Sequence, residues 1–293
     1  MKTFQTLLLR EWLQHGRRWW LIALVPLAFG LLGLSLGHVQ VGGDASPVAT
    51  LLITATVYTA LLSGVGWLVA YIQSGGLARR DWQDRSIEFW RSLPVSDTAA
   101  VGATVLMNLV LLPLLLMVLA IPSGLLAAAV LVGRGLGWSV LAGLPWTDAV
   151  GPLLAGALRM VLGSLLASFW IAPVALLSMA AAAWLKRWGV PMLWVVWGVG
   201  GTILAKGYGL PQLLQTAQTF GLRLGSALLP LRDQPAALAA ALDGPQPDVT
   251  SLPGLLAQDA LLRLQELASG WALLALALSV LGFALLVWRR QRG

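Results

Sequence analysis

Long apolar runs without charged residues dominate the chain. About 20 apolar residues in a helix cross the ~30 Å hydrocarbon core of a bilayer. Six runs approach or exceed this length, and they predict six transmembrane helices over residues 19–36, 49–72, 99–131, 160–185, 188–205 and 271–288. The third run is long for one crossing, so we expect its part after Pro122 to bend into the far interface. The pattern predicts an all-α polytopic membrane protein.

Residues 1–18, before the first run, form an amphipathic segment. One helical face carries apolar side chains, namely Phe4, Leu7, Leu8 and Trp12. This pattern is typical of a helix that lies on a membrane surface, and it predicts an N-terminal elbow helix. A solvated tail is the alternative. Glu11 falls within the apolar stripe and needs a partner, for which Arg18 is one candidate.

The segment 75–97, between the second and third runs, is highly charged. At about 3 kcal/mol per charge at the bilayer centre, it must stay outside the membrane. Its helical wheel separates an aromatic face from a charged face. The aromatic face contains Trp82, Phe89, Trp90 and Leu93, and the charged face contains Arg80, Asp81, Asp84, Glu88 and Arg91. The residues alone leave two interpretations open: a connector resting on lipid headgroups, or a helix that docks a soluble partner.

The segment 207–270 is the long connection on the other side of the membrane. Six prolines divide it, and two leucine-rich stretches, 213–229 and 255–267, are interrupted by charged residues. Neither stretch has the charge-free length of a span. We expect short helices that lie at, or dip into, the outer interface.

Composition and charge agree with a membrane protein. Apolar residues make up 58% of the chain and charged residues 11%, and the mean hydropathy is +0.81; soluble domains have about 25% charged residues. The net charge is +7, which in a soluble protein would suggest nucleic acid. Here most basic residues flank the spans on one side, namely Lys2, Arg10, Arg17, Arg18, Arg79, Arg80, Arg85, Arg91, Lys186, Arg187, Arg289, Arg290 and Arg292. The positive-inside rule then predicts a multi-pass protein of the plasma (inner) membrane with both termini in the cytoplasm, and no nucleic-acid partner.

Sequence signals for catalysis are weak. None of the three lysines stands in a Walker loop, so no ATP-binding loop is predicted in this chain. Cysteine is absent and there are two histidines, so no metal site or cofactor site is predicted either. Residues 33–37 match the Gly-x-Ser-x-Gly hydrolase motif around Ser35, and His38 follows. That motif requires a strand-to-helix turn, whereas here it ends an apolar helix, so close helix packing is the favoured interpretation and no catalytic residue is predicted.

A few polar residues interrupt the apolar runs and are candidates for a substrate path: Tyr58, Asn108, Ser164 and Ser168. Hydrogen bonding between helices is the first interpretation of such residues, and contact with a substrate is the second. Arg159 lies near the outer end of its run, where its side chain is expected to reach the interface.

The segment Asp84 to Asp97, DRSIEFWRSLPVSD, together with the predicted topology, resembles the permease subunits of ABC-2 type exporters. The likeness extends over almost the whole chain: an elbow helix, six spans, a charged helix between spans two and three, and a long outer connection between spans five and six. This chain lacks the lysine that many members of the family carry shortly after the Leu-Pro-Val-Ser turn.

The resemblance implies a cytoplasmic coupling helix that contacts a separate ATP-binding subunit. Its contact residues would be Asp84, Glu88, Phe89, Trp90, Arg91, Leu93 and Pro94. The segment Leu185 to Pro191 would supply a second, smaller contact. The resemblance also implies a second permease chain, identical or different, with two ATPase subunits that bind ATP and Mg, all within membrane lipid. The alternatives are an ion-coupled secondary transporter and an intramembrane serine hydrolase using Ser35 and His38.

Overall fold

The computed structural model describes residues 2–37, 46–83, 95–242 and 247–292, and this part of the chain is helical almost throughout. We number its α-helices in chain order: α1 Lys2–Leu36, α2 Pro47–Gln83, α3 Asp97–Leu106, α4 Leu112–Gly135, α5 Trp138–Ala142, α6 Trp146–Leu185, α7 Gly189–Val195, α8 Gly201–Gly207, α9 Gln212–Leu228, α10 Pro235–Leu242, α11 Leu252–Gln265 and α12 Gly270–Arg292. π-helical turns at Met107–Leu111 and Val196–Gly200 join α3 to α4 and α7 to α8. Short 3₁₀ segments lie at Lys186–Trp188, Val249–Ser251 and Glu266–Ala268.

Five helical segments in the described ranges are long and apolar enough to cross a membrane. They are Trp19–Leu36, Pro47–Arg79, Asp97–Gly135, Trp146–Gly207 and Gly270–Arg292. The chain is therefore a helical membrane protein, as the apolar runs predicted. The third segment remains helical through Pro122 to Gly135. Pro113 has no N–H to donate, and the π-turn directly before α4 accommodates the missing bond.

The fourth segment contains a reversal of the chain. The backbone of Lys186 has φ 53°, outside the helical region, which ends α6. After it, α7 packs against α6 so closely that a Cβ added at Gly189 would lie 2.3 Å from backbone atoms of Ala181. Farther along, Trp194 is linked through the Tyr71 hydroxyl to Ser178 of α6, and Trp197 packs against the cluster that contains Trp170 of α6. The segment from α7 to α8 therefore runs antiparallel to α6.

The N-terminal helix differs from the expectation for this region. A separate elbow helix over residues 1–18 was predicted, whereas Lys2–Leu36 forms one continuous helix of 35 residues. No proline lies near residue 18, and Gly16 alone does not break the helix. At the other end of α1, Arg134 of α4 donates from Nη1 to the carbonyl oxygens of Leu34 and Ser35. These are terminal carbonyls without helical partners, so the cation stabilises the end of α1.

The two ends of the helical bundle are distinguished by the contacts between helices. We call one the basic end; it contains Gln83, Asp97, Leu185 and Arg292. There Arg290 Nε lies 2.9 Å from Asp97 Oδ1, and Arg289 Nε donates to the Ala183 carbonyl at 3.4 Å. We call the other the capped end; it contains Leu36, Pro47, Gly135 and Trp146. The N- and C-terminal parts of the described chain both lie at the basic end.

Helix α6 connects the two ends and extends beyond the bundle. It has 40 residues, about 60 Å, roughly twice the thickness of the hydrocarbon core. Its first turns pack with α5, α10, α11 and the adjacent ends of α2 and α4 around one buried apolar cluster, which includes Leu51, Val132, Ala149, Leu231 and Leu252. These elements form a helical cap over the bundle.

Candidate functional site

The predicted contact segment falls largely outside the residues that the structure describes. This applies to Asp84, Glu88, Phe89, Trp90, Arg91, Leu93 and Pro94. Their assignment to a coupling helix stays a prediction. The structure does place the chain on either side of them: α2 ends at Gln83 and α3 begins at Asp97, both at the basic end.

The start of α3 is fixed by polar contacts that follow from its sequence. Ser96 Oγ accepts a hydrogen bond from Ala99 N at 3.2 Å, which makes Ser96 the N-cap. Asp97 in the first helical turn pairs with Arg290 of α12. The chain that leaves segment 84–94 is therefore anchored to both the first turn of α3 and the last helix.

The turn between α6 and α7 lies directly beside α2. A Cβ added at Gly75 would lie 2.8 Å from Val190 Cγ2 and 3.8 Å from Ala182 Cβ, so α2 packs against both arms of this turn. Residues 185–188 are exposed at its tip, where they present Lys186 and Arg187. The two segments predicted to contact a partner therefore leave the bundle from neighbouring positions.

A three-residue hydrogen-bonded group joins the same helices farther inside the bundle. Trp194 Nε1 of α7 donates to the Tyr71 hydroxyl of α2 at 2.9 Å, and this hydroxyl lies 2.9 Å from Ser178 Oγ of α6. The rings of Tyr71 and Trp194 meet edge to face at 6.1 Å. The group fixes α2, α6 and α7 relative to one another below the exposed turn.

Hydrogen bonds between described residues do not join the predicted substrate-path residues into one group. The Tyr58 hydroxyl donates to the Pro26 carbonyl of α1 at 3.3 Å, and its ring rests on Gly30. Asn108 lies in the first π-turn, where Nδ2 donates to the Thr104 carbonyl at 2.8 Å. No hydrogen bond within the described ranges connects Tyr58 or Asn108 to the two serines of α6.

Ser164 and Ser168 do lie together. Ser168 Oγ donates to the Ser164 carbonyl at 3.0 Å, one turn back along α6. Ser164 Oγ and Asn108 Oδ1 are buried and find no hydrogen-bond partner among the described residues. A contact between helices therefore accounts for Tyr58 and a bond within α6 for Ser168, while Asn108 and Ser164 each keep a buried polar atom without a partner among the described residues.

A buried ion network holds the cap on α6. Arg159 is 2% exposed; its Nε lies 2.7 Å from Asp259 Oδ2 of α11, and its Nη1 and Nη2 donate to the Ala227 and Ser226 carbonyls at 3.0 and 2.9 Å. The expectation that Arg159 reaches the interface is therefore wrong. The guanidinium is buried because Asp259, itself 1% exposed, compensates its charge.

Arg263 extends this network on the side of the cap. Its Nε lies 3.3 Å from Asp259 Oδ1, its Nη2 lies 2.7 Å from Asp233 Oδ2, and its Nη1 pairs with Glu266. Burial lowers the pKa of Arg263, but Glu266, Asp259 and Asp233 raise it, and the net pKa is above the usual value. In the Asp-x-x-x-Arg-x-x-Glu spacing of residues 259–266, the charged residues stand four and three positions apart, so their side chains can pair on a helix and these local pairs were predictable from the sequence. Nothing in the sequence indicated the long-range pair between Asp259 and Arg159.

Glu11 is a second buried carboxylate, and it lies toward the basic end. It is 0% exposed, pairs with Arg10 and accepts a hydrogen bond from Thr104 Oγ1 of α3 at 3.1 Å. The predicted need for a partner is met by these groups. The side chain of Arg18, the candidate named from the sequence, lies outside the described residues.

The structure gives two further findings on catalysis and ligands. Ser35 lies in the last turn of α1, where a helix, and not a strand-to-helix turn, carries it; His38 is outside the described residues. Within the described ranges, no group of three His, Asp or Glu side chains comes close enough to hold a metal ion.

Comparisons with protein-family models, curated proteins and solved structures find no match to this chain.

Proposed function

We propose that the chain is the permease subunit of an ATP-driven, ABC-2 type exporter. Two such chains form the substrate path, and separate ATPase subunits bind ATP and Mg and contact the basic end. The observation that carries the proposal is the packing of α2 against the turn between α6 and α7, through Gly75, Ala182 and Val190. Helix α2, which leads into the predicted coupling segment, thus packs beside the turn that carries the second predicted contact, and this supports one partner engaging both.

The membrane topology of this proposal has six spans. Because α7 and α8 run antiparallel to α6, the segment Trp146–Gly207 crosses twice, and the other four candidate segments cross once each. The basic end then lies in the cytoplasm of the inner membrane, where the positive-inside rule places its Lys and Arg residues. In this proposal the first half of α1, which packs against α3 through Glu11 and Thr104, takes the place of a separate elbow helix.

Helix α6 is the element through which motion at the ATPase contact reaches the other side. It begins in the cap, where Arg159 holds Asp259, and ends at the exposed turn beside Lys186. A displacement of this turn on ATP binding therefore moves one continuous helix that carries the cap. Such coupling requires the ATPase to bind one conformation of the permease better than the other.

A secondary transporter is the rival proposal. Coupling to an ion gradient commonly uses an ionisable residue near the middle of the bilayer. Of the described carboxylates, the buried ones are Glu11 and Asp259, which lie toward opposite ends of the bundle, each paired with arginine. Their positions favour structural roles and give the rival little support.

Charge reversal at Glu88 tests the contact with the ATPase. We expect Glu88→Lys to insert normally but to lower transport-coupled ATP hydrolysis at least fivefold, because it places a cation where the predicted docking face has a carboxylate. The measurement is ATP hydrolysis by the purified complex in liposomes. Asp148→Lys is the matched control, since Asp148 is exposed at the capped end; it should hydrolyse ATP like the unmodified complex. Equal activity of both variants would argue against docking through this face.

A further inference from the structure

Helix α9 lies partly at the height of the membrane-spanning helices. Phe220 of α9 belongs to the same buried cluster as Trp67 of α2, Trp170 of α6 and Ala275 of α12. The rings of Phe220 and Trp170 are 6.2 Å apart. At the end of α9 nearest the cap, the Ala227 carbonyl accepts from Arg159 at 3.0 Å. Helix α9 therefore runs toward the cap from a starting point deeper in the bundle.

The first turn of α9 is the deepest part. A Cβ added at Gly201, the first residue of α8, would lie 3.6 Å from Leu214 N. From Gly201, α8 continues toward the capped end to Gly207, about 9 Å farther. The chain then turns back at residues 208–211, and α9 starts again beside Gly201. The N-terminal half of α9 is thus re-entrant.

This re-entrant half has a broad polar face. Gln212, Gln215 and Gln218 are exposed, Thr219 lies between them on the helical wheel, and Thr216 lies at the edge of the same side. At 100° per residue these five side chains cover an arc of about 160°. No charged side chain occurs between Gly207 and Arg223. We call this arc the glutamine face.

Lipid is an unsuitable environment for the glutamine face. Each amide would lose its hydrogen bonds to water in contact with acyl chains, where nothing replaces them. A contact with one neighbouring helix would cover only a narrow stripe of this arc. Water and a mobile polar ligand can form hydrogen bonds with all five polar side chains of the arc, so a water-filled environment suits the glutamine face best.

We propose that the glutamine face lines the water-filled transport path and binds the neutral, hydrogen-bonding part of the transported molecule. Primary amides donate and accept hydrogen bonds without carrying charge, so they suit hydroxyl or amide groups better than anions. The next cation along the chain, Arg223, donates to Ser269 Oγ at 2.7 Å and lies 4.7 Å from the Trp170 ring centroid. This inference rests on the proposed transport function, and it narrows the substrate class to amphiphiles with an uncharged polar group.

Cysteine labelling tests the inference directly, because the chain has no cysteine of its own. Gln215→Cys in intact membranes should react at least tenfold faster with a charged, membrane-impermeant maleimide than Leu276→Cys does. Leu276 is the matched control: it is 52% exposed and follows Ala275, which is in the cluster with Phe220. The difference is expected because thiols need water to ionise and react. Equal, slow labelling would overturn the proposal. An oxidised, disulfide-linked dimer of Gln215→Cys without labelling would also overturn it, because a second copy would then cover the face.

Two soluble amphiphiles test the ligand class. Octyl glucoside below its micellar concentration should slow labelling of Gln215→Cys at least threefold, and octyl sulfate should not. Equal or stronger protection by octyl sulfate would contradict a neutral ligand. Neither assay requires nucleotide or an ATPase. A labelled face in a chain that purifies without an ATPase would therefore refute the proposed function and leave this inference standing.

Discussion

Replacing Asp259 with asparagine should lower the free energy of unfolding by about 3–5 kcal/mol, because it leaves the buried Arg159 guanidinium without a counter-charge. The side chains of both residues are 1% exposed, and their 2.7 Å contact joins α6 to α11. The Leu231 backbone N–H also loses a carboxylate acceptor, which it reaches at 3.3 Å. The measurement is chemical unfolding of the purified protein in micelles, followed by tryptophan fluorescence.

Asp233→Asn is the matched control for this variant. Asp233 binds the same network through Arg263, at 2.7 Å, but its side chain is 52% exposed. Exposed pairs contribute about 0–1 kcal/mol, so the same chemical change should have little effect there. A double variant, Arg159→Met with Asp259→Leu, should recover much of the lost stability, because no uncompensated charge remains. Equal losses for Asp259→Asn and Asp233→Asn would show that burial of the pair is not what holds the cap.

Gly189→Ala should disrupt the packing of α7 against α6. The added Cβ would lie 2.3 Å from backbone atoms of Ala181, which cannot move without shifting a helix. Overpacking of this kind costs about 1–3 kcal/mol, and we expect the upper part of that range because the clash is with the backbone. The displaced α7 should also weaken the contact of Val190 with α2, and thereby lower coupled ATP hydrolysis.

Gly198→Ala provides the control at a second glycine beyond the same turn. Outside the local backbone of its own helix, no described atom lies within 4 Å of a Cβ added at Gly198. Alanine there should leave stability unchanged or raise it slightly, because it lowers the conformational entropy of the unfolded chain. The thermal midpoints of both variants, and the ATP hydrolysis rates of their complexes, are the measurements. Similar losses in both would contradict the close approach of α7 and α6.

The helices were predictable because lipid imposes a simple pattern. Charge-free runs of membrane length located the candidate spans. The interruptions by Arg223 and Asp259 indicated that the leucine-rich stretches of segment 207–270 form shorter helices, and α9 and α11 agree with this.

Contacts between distant parts of the chain were not predictable from the sequence. Arg159 resembled an interfacial arginine because its partner, Asp259, lies 100 positions away. The break between spans at residues 186–187 was predicted, but the sequence did not show that Tyr71 would meet Trp194 and Ser178 beside it. The continuity of α1 depended on Gly16 remaining helical, which tertiary packing decides. The assignment of the coupling segment stays a prediction, since residues 84–94 are not among those described.

Purification from native membranes in mild detergent is the most direct test of the central claim, that this chain works with an ATPase at its basic end. The account predicts that the chain purifies with an equal number of copies of a protein that contains a Walker motif, and that this complex hydrolyses ATP. Leu185→Asp with Arg187→Glu, at the exposed turn, should release that protein. Isolation of the chain alone, with flux in liposomes driven by an ion gradient and independent of ATP, would contradict the account.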